Sequence, residues 1–533
     1  MPALLTSLIL VLAITTESRA QTARPDRNAL MSRADSAWDA GDRKRARALY
    51  AEIFATDSTA SRAVFRLAQL DDSEERALAL YRRYIALEPD DPWGHMAEGD
   101  VLARRGRLAE ALIAYDGAHA ILPGERDVAV GRARLLDRAG RSHQAADELA
   151  AWTTSHPDDG EAWDLLGRVE IRAGRPRAAG AAFRHAERLG FNGAGTRLDA
   201  ARASAAPMVV PEAGSLGDSD GNRTTRYGGT VEVMVSDGVR IGAGVAQQNV
   251  SNDVQDVHGL GINARFSATA SSQVRISGSA GMVRYEEDGV TTSPAPGPGP
   301  GPGQGPGSGA GVPPLSAPGA WTPIEASMRL RVRSAAGSSL DLRIERAPLG
   351  FSPQLLENRV QRSDARATVE VPLAPFRLRG QARVGRLDAS SESANARTTL
   401  EGALVLPLGS GWQPSVQYRR TAFARTSAAG YFAPRLAETI ETGAYVELGE
   451  ERALSFSMDV GGGVQRVMPH DAAMGPWSGV WRAWAQTALS IGPSRAWFVE
   501  VEAYDAPFAL DGAGESGAWR YFALSSGLRW AVR

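Results

Sequence analysis

The stretch AAGYFAPRLAETIETGAYVEL, residues 428–448, changes character half-way along and decides how the second half of the chain folds. Its first part has no regular hydrophobic period. From Glu438 onward two sets of side chains alternate: Ile440, Thr442, Ala444, Val446 and Leu448 on one side, and Glu441, Gly443, Tyr445 and Glu447 on the other. Successive side chains of a β-strand point to opposite faces, so this alternation predicts a strand with one apolar face.

The same alternation recurs throughout residues 205–533. Residues 328–333 (MRLRVR), 340–345 (LDLRIE) and 495–504 (RAWFVEVEAY) each place apolar residues on one face and charged residues on the other. We count about sixteen such segments of about ten residues, joined alternately by long loops and tight turns, as in outer-membrane barrels. A soluble sandwich would also alternate, and the asymmetry of the connections favours the barrel.

The apolar faces of these strands are therefore expected to contact lipid. A sheet in a membrane must close, because an open edge would leave backbone groups unpaired in hydrocarbon. A count of sixteen strands requires a short first strand with a weak pattern near residues 207–216. The Pro- and Gly-rich residues 291–319 have too little apolar material to fold, so they are expected to form a disordered external loop. An interdomain linker is the alternative interpretation of that segment.

Residues 21–204 follow a helical period instead. Alanine recurs every 34 residues, and proline recurs at the same interval; the positions are Ala77, Ala111, Ala145 and Ala179, and Pro89, Pro123 and Pro157. A fixed period of this length is typical of a helical repeat protein. The last unit has Trp163, Gly167 and Phe183 at the spacing of the tetratricopeptide repeat (TPR), which this region resembles. About five repeats are predicted, forming a scaffold with a concave binding surface.

The first twenty residues have the pattern of a secretory signal peptide. An apolar run at 3–14 precedes Ser18 and Ala20, which occupy the small-residue positions of a signal-peptidase site. Residues 1–20 are therefore expected to be removed, with a tethered N-terminus as the alternative. No later segment reaches the ~20 apolar residues of a membrane-spanning helix.

Composition argues against several classes of chemistry. The formal net charge of −2 gives no electrostatic case for nucleic acid as a partner, and the chain has no cysteine for thiolate catalysis, disulfides or metal binding. No two of the seven histidines lie three to five residues apart, so no helical histidine pair can hold a metal. We therefore expect a protein that is not an enzyme and has no cofactor.

Helical repeats followed by such a barrel resemble the outer-membrane components of exopolysaccharide secretion systems, in particular the C-terminal region of cellulose synthase operon protein C. The Gly-Tyr-Phe-Ser-Pro-Gln motif of that family is similar to Gly430, Tyr431, Phe432 and Pro434, although Ala433 and Arg435 replace the serine and glutamine. Residues 349–354, LGFSPQ, echo the motif without the tyrosine.

The resemblance implies an all-α TPR domain in the periplasm and a transmembrane antiparallel barrel in the outer membrane. It also implies a function, the export of a cellulose-like or related exopolysaccharide. The TPR domain would then be a scaffold for periplasmic or inner-membrane partner proteins. A different class of function is a non-transporting anchor or assembly protein that uses the TPR array to recruit a partner.

Six residues on two neighbouring strands are the candidate contacts for a polysaccharide in the lumen, because charged and aromatic side chains bind sugar hydroxyls. They are Arg482, Trp484, Gln486, Glu500, Glu502 and Tyr504. Glu500 and Glu502 could also be drawn as a glycosidase pair, but without a partner acid or aromatic subsites they are interpreted as lumen lining. The segment Gly430–Arg435 is interpreted as loop architecture, with gating or glycan contact as the alternative.

Overall fold

The computed structural model describes residues 27–287, 320–334, 336–408, 411–449, 453–505 and 520–532. The expected signal peptide and the Pro- and Gly-rich segment 291–319 lie outside these residues. The chain divides into two compact units, Met1–His156 and Pro157–Arg533. This division falls within the helical repeats, and not at the domain boundary expected between residues 204 and 205.

The described part of the first unit is built from antiparallel helix pairs. Its helices are α1 (Arg27–Asp39), α2 (Arg43–Thr56), α3 (Ser61–Leu70), α4 (Glu74–Leu87), α5 (Pro92–Arg104), α6 (Leu108–Ile121), α7 (Arg126–Arg138) and α8 (Ser142–Ser155). Gly106 and Gly140 have φ angles of 75° and 76° in the turns within two of the pairs, a left-handed conformation that favours glycine. The periodic Ala111 and Ala145 are fully buried, so the absence of a larger side chain lets the helix backbones approach.

The second unit begins with three further helices, α9 (Gly160–Arg172), α10 (Pro176–Arg188) and α11 (Ala194–Ala205). The fully buried Ala179 lies on α10 at the periodic position, and a side chain at Gly167 would collide with the ring of Phe183. Trp163 stacks on His185, with ring centroids 4.3 Å apart. The described residues thus contain five helix pairs followed by α11.

The remainder of the second unit is a closed antiparallel barrel, in which each strand pairs with its sequence neighbours and β16 pairs with β1. The strands are β1 (Met208–Asp218), β2 (Arg223–Ser236), β3 (Val239–Ser251), β4 (Asp256–Thr269), β5 (Val274–Glu287), β6 (Ile324–Arg333), β7 (Ser339–Pro348), β8 (Gln361–Leu373), β9 (Phe376–Asp388), β10 (Asn395–Val405), β11 (Trp412–Phe423), β12 (Leu436–Leu448), β13 (Leu454–Met468), β14 (Ser478–Ser490), β15 (Arg495–Asp505) and β16 (Arg520–Ala531). The prediction of about sixteen strands, including the weak first strand, is confirmed.

The two faces of the barrel wall differ sharply in polarity. On β12, Ile440 is 43% exposed whereas the adjacent Glu441 is 5% exposed. The same holds on β7, where Ile344 points outward and is 63% exposed. Large apolar side chains on the outside and charged side chains on the inside are the distribution of a barrel surrounded by lipid, and the reverse of a soluble sandwich. Trp412, Trp497 and Trp530 lie at one rim on the outer face, as in an interfacial aromatic girdle.

Candidate lumen of the barrel

The six candidate lumen residues lie side by side on the inner wall. Strand register pairs Arg482 with Tyr504, Trp484 with Glu502, and Gln486 with Glu500. The indole Nε1 of Trp484 donates to Oε1 of Glu500 at 2.7 Å, and the amide of Gln486 donates to its other oxygen at 3.3 Å. One carboxylate thus binds two of the other candidates.

The remaining candidates have different partners. The Nε of Arg482 lies 3.0 Å from a carboxylate oxygen of Glu441, and its guanidinium also binds Asp459. Tyr504 stacks on Tyr521 of β16, with ring centroids 5.2 Å apart. Arg482 is therefore already held by two carboxylates, which sequence reasoning could not foresee because Glu441 is 41 residues away in the chain.

Two cavities adjoin this wall. The larger, of about 410 Å³, is lined by Arg482 and Tyr504 together with Arg379, Glu401 and Tyr445. A second, of about 240 Å³, is lined by Glu500 and Glu502 with residues of β1, β2 and β16. Four of the six candidates therefore line two separate cavities, Arg482 and Tyr504 the larger and Glu500 and Glu502 the smaller, whereas Trp484 and Gln486 line neither of the two.

Residues 349–360, which we call the crossing segment, fold across the mouth of the barrel at the long-loop rim. The segment connects β7 to β8 and contains the short helix α12 (Pro353–Glu357). The carbonyl oxygen of Gly350 accepts a hydrogen bond from Gln248 of β3 at 3.0 Å, and Phe351 packs beside Tyr521 of β16. Leu356 is buried against Val257 and Tyr285. A segment that starts between β7 and β8 and contacts these strands must span the opening.

The candidate motif residues support the crossing segment. Tyr431 lies in one apolar cluster with Leu349, Leu355 and Phe423. Gly430 has a φ of 91°, and a Cβ added to it would lie 2.8 Å from Oε1 of Gln354. The two echoes of the family motif, 349–354 and 430–435, are thus in contact, although Gln354 and Gly430 are 76 positions apart in the sequence.

Glu392, in the loop between β9 and β10, fixes the motif around Tyr431 in place. Its carboxylate accepts hydrogen bonds from the hydroxyl of Tyr431 at 2.8 Å, the hydroxyl of Ser427 at 2.6 Å and the backbone N–H of Ala428 at 3.1 Å. Burial raises the pKa of the Tyr431 hydroxyl to about 12, so it stays protonated and can donate. Phe432 and Pro434 belong to the same turn, and the backbone oxygen of Pro434 accepts from the N–H of Phe423.

The alternation of long and short connections predicts residues 349–360 only as part of a long external loop. The available signal was composition, because the segment contains Leu349, Phe351, Leu355, Leu356 and Val360, more apolar side chains than a solvated loop needs. Leu355 and Val360 are 2% and 0% exposed. An apolar run inside a loop between two membrane strands therefore indicated an inward-folded segment.

The opposite, short-turn rim holds the last helices of the same unit. Asp237, in the turn between β2 and β3, accepts hydrogen bonds from the backbone N–H groups of Arg177 at 2.9 Å and Ala178 at 3.1 Å. The barrel thus supplies the N-terminal cap of α10. Arg240 of β3 in turn donates to the backbone oxygens of Ser204 and Ala206 at the end of α11. The helices are therefore joined to the barrel by polar contacts at the start of α10 and at the end of α11.

No helix among the described residues is long and apolar enough to cross a membrane. The described residues also contain no group of three or more His, Asp or Glu side chains that could hold a metal ion.

Residues 75–126 and 102–169 match family models described as tetratricopeptide repeat. No curated protein matches the chain. Among solved structures, CdiB from Acinetobacter baumannii is 10% identical with a TM-score of 0.35, covering 61% of this chain and 60% of its own. A MamA fragment from Desulfovibrio magneticus RS-1 is 13% identical with a TM-score of 0.28, covering 31% of this chain and 95% of its own. YrrB, described as a TPR protein with an unusual peptide-binding site, is 16% identical with a TM-score of 0.29, covering 34% and 93%.

With TM-scores this low, the fold rests on the helices and strand pairing of the chain itself. That fold consists of N-terminal tetratricopeptide repeats followed by a closed 16-strand antiparallel barrel. The architecture is that of an outer-membrane protein with a scaffold for protein interaction.

Proposed function

We propose that the protein is a non-enzymatic outer-membrane conduit for export of an exopolysaccharide, with the TPR domain as a periplasmic scaffold. The observation that carries the proposal is the polarity of the barrel wall, apolar and exposed outside but charged and aromatic inside. Trp484, Tyr504 and the carboxylates beside them offer the stacking surfaces and hydrogen-bonding groups that sugars use. The cargo itself is inferred from the resemblance of the sequence, which the motif at 430–435 carries.

Conductance tests the conduit directly. The purified full-length protein in a planar lipid bilayer is expected to give discrete channels, smaller than the lumen alone would give because of the crossing segment. In parallel, deletion of the gene in the producing cell should retain polymer in the periplasm. A barrel that inserts into lipid but conducts no ions, in cells that still secrete their polymer, would contradict the proposal.

The membrane position of the barrel is tested by the neighbours Ala444 and Tyr445. Ala444 shares the outward face of β12 with Ile440, whereas the hydroxyl of Tyr445 lies 3.2 Å from Glu447 on the inner face. Single-cysteine variants at the two positions can carry a fluorophore, because the chain has no native cysteine. Brominated lipid should quench the label at 444 and leave the label at 445 bright. Absence of quenching at both positions would mean that this strand does not meet lipid.

The crossing segment supports a second candidate function, a non-transporting outer-membrane anchor whose repeats recruit a partner. Its apolar side chains are as well buried as those of a protein core, which a permanently closed mouth requires. If the protein is an anchor, a disulfide that links the crossing segment to the barrel wall should leave its function intact. If the protein is a conduit, the same crosslink, made through a cysteine pair at positions 356 and 257, should block secretion until a reductant is added.

A further inference from the structure

The lumen wall formed by β6–β9, all of whose residues are described, carries a large excess of positive charge. Its inward-facing arginines, here called the arginine wall, are Arg329, Arg331, Arg333, Arg343, Arg362, Arg366, Arg377, Arg379 and Arg383. Its inward-facing carboxylates are Glu325, Asp341, Glu345, Asp364 and Glu370. Nine guanidinium groups therefore face five carboxylates.

The wall formed by β12–β15, also described in full, has the opposite balance. Its inward-facing charged residues are Arg482, Glu441, Glu447, Asp459, Glu500 and Glu502. One guanidinium thus accompanies five carboxylates. The lumen is therefore not uniformly polar, since one side is basic and another side is acidic.

Strand register places four of the arginines in one row around the barrel. Arg329 is directly opposite Arg343, Arg343 is opposite Arg366, and Arg366 is opposite Arg383. Like charges at directly opposed positions destabilise a sheet. Such a row lowers the stability of the folded barrel, so we expect negative charge to lie near it.

The carboxylates of the wall do not supply enough of that charge, because they are shared. Asp364 lies within 2.9 Å of the guanidinium of Arg362, 2.7 Å of that of Arg383 and 2.8 Å of that of Arg397 on β10. Asp341 likewise binds both Arg329 and Arg331. Three guanidinium groups therefore converge on Asp364 and two on Asp341, and the net charge of the wall stays positive.

The arginine wall continues to the short-turn mouth. Arg331 and Arg333 of β6, Arg275 of β5 and Arg172 of α9 line a cavity of about 180 Å³ between the last repeat and the rim. Residues 333, 331 and 329 then follow one another along the inner face of β6, about 7 Å apart. A chain that enters at this mouth meets a guanidinium group at each step toward the row.

We propose that the arginine wall binds the anionic groups of the exported chain, so that the cargo is an acidic polysaccharide and not a neutral glucan. This inference rests on the proposed function as a polysaccharide conduit. Guanidinium groups bind carboxylate and sulfate in a bidentate manner, and their hydrogen bonds to charged oxygens are stronger than those to neutral hydroxyls. The acidic wall beyond β12 would repel the same chain and hold it against the arginines.

Binding to the full-length protein in detergent tests this inference. Three oligosaccharides of matched length are titrated by calorimetry: a galacturonate oligomer bearing carboxylates, a sulfated dextran oligomer and a neutral cello-oligomer. We expect both acidic oligomers to bind, more weakly as salt is raised, and the neutral oligomer to bind at least tenfold more weakly. The stronger of the two acidic ligands identifies the charged group that the wall prefers.

Substitution of single arginines locates the site. Arg343→Gln and Arg366→Gln in the row, and Arg333→Gln at the exposed mouth, should each raise the Kd for the acidic oligomer about tenfold. Arg420→Gln is the matched control, because Arg420 is an exposed arginine on the outward face of β11. Heat-modifiable migration on gels verifies that each variant is a folded barrel, and Arg333 lies outside the row of four opposed arginines, so its replacement leaves that row unchanged.

The outcomes separate this inference from the function on which it rests. Equal affinity for neutral and acidic oligomers, unchanged by the arginine substitutions, would overturn the acidic cargo and leave a polysaccharide conduit standing. Failure of the folded protein to bind any of the three would also overturn the inference. The conduit itself is overturned only by the conductance and secretion experiments above.

Discussion

The two mouths of the barrel are held by different kinds of interaction. At the long-loop mouth, the crossing segment and the motif around Tyr431 bury apolar side chains in a shared cluster. At the short-turn mouth, Asp237 and Arg240 hold the last helices through hydrogen bonds, and arginines line the opening. One mouth is therefore crossed by a segment that buries apolar surface, whereas the other is framed by charged and polar groups.

This difference fits the two tasks that a conduit needs. A hydrated, charged entrance can exchange water for the polar groups of a chain. The crossing segment narrows the opposite mouth, and its position is stabilised by apolar packing that single substitutions can weaken. Changes confined to one mouth test whether the two mouths are stabilised independently.

Removal of the crossing segment should have the largest effect. Replacing residues 350–358 with a short Gly-Ser linker is expected to raise single-channel conductance several-fold, because the segment spans the opening. The control replaces residues 471–474, in the loop between β13 and β14 at the same rim, with Gly-Ser-Gly-Ser, and should leave conductance unchanged. Unaltered conductance in the first variant would show that the segment does not limit the lumen.

A side chain at Gly430 should loosen the same mouth. Gly430→Val places a Cβ 2.8 Å from Gln354 at a φ of 91°, which L-residues avoid at a cost of roughly 1–2 kcal/mol. Amide hydrogen exchange in residues 353–360 is expected to become at least tenfold faster. Gly492→Val is the matched control at the short-turn rim, where φ is 71° and no atom lies within 4 Å of the added Cβ. Equal acceleration of exchange at 353–360 by both variants would contradict a local effect.

Loss of the barrel-supplied cap should loosen only the opposite mouth. Asp237→Ala removes both acceptors for the N–H groups at the start of α10, at a cost of about 1 kcal/mol. Exchange of the amides of residues 177–180 should accelerate about fivefold, while exchange at 353–360 stays the same. Asp237→Asn keeps one acceptor oxygen and is expected to restore most of the protection. Acceleration at both mouths would mean that they are energetically coupled.

The smallest effect is expected from removal of a single hydroxyl. Tyr431→Phe deletes the hydrogen bond to Glu392 and should reduce the stability of the motif by about 1 kcal/mol, measured as faster exchange of residues 427–431. Tyr418→Phe removes a similar bond, to Glu438, from an exposed position on the outer face. Because Glu438 keeps its ion pair with Arg466 in this variant, the control should change local exchange less. The reverse order would indicate that the buried Tyr431–Glu392 bond contributes no stability.

The elements of this fold could be read from the sequence because each is set by a local period. Alanines 34 residues apart predict the helix pairs. Alternation on β12 predicts that the side chain of Ile440 faces outward and that of Glu441 faces inward. The weak β1 was found by counting connections, not by its own pattern. The six lumen residues were placed on the correct wall for the same reason, since register on neighbouring strands fixes their facing.

What lies inside the barrel was decided only by tertiary structure. The contact between Gly430 and Gln354, the convergence of Arg383 and Arg397 on Asp364, and the cap that Asp237 gives to α10 each join residues far apart in the sequence. A period of two or of 34 says which way a side chain points, but not which distant side chain it meets. The sequence alone therefore determined a repeat scaffold and a lipid-facing barrel. The crossing segment meets strands on the far side of the lumen only because the sheet closes, and the row of arginines depends on the register between β6 and β9.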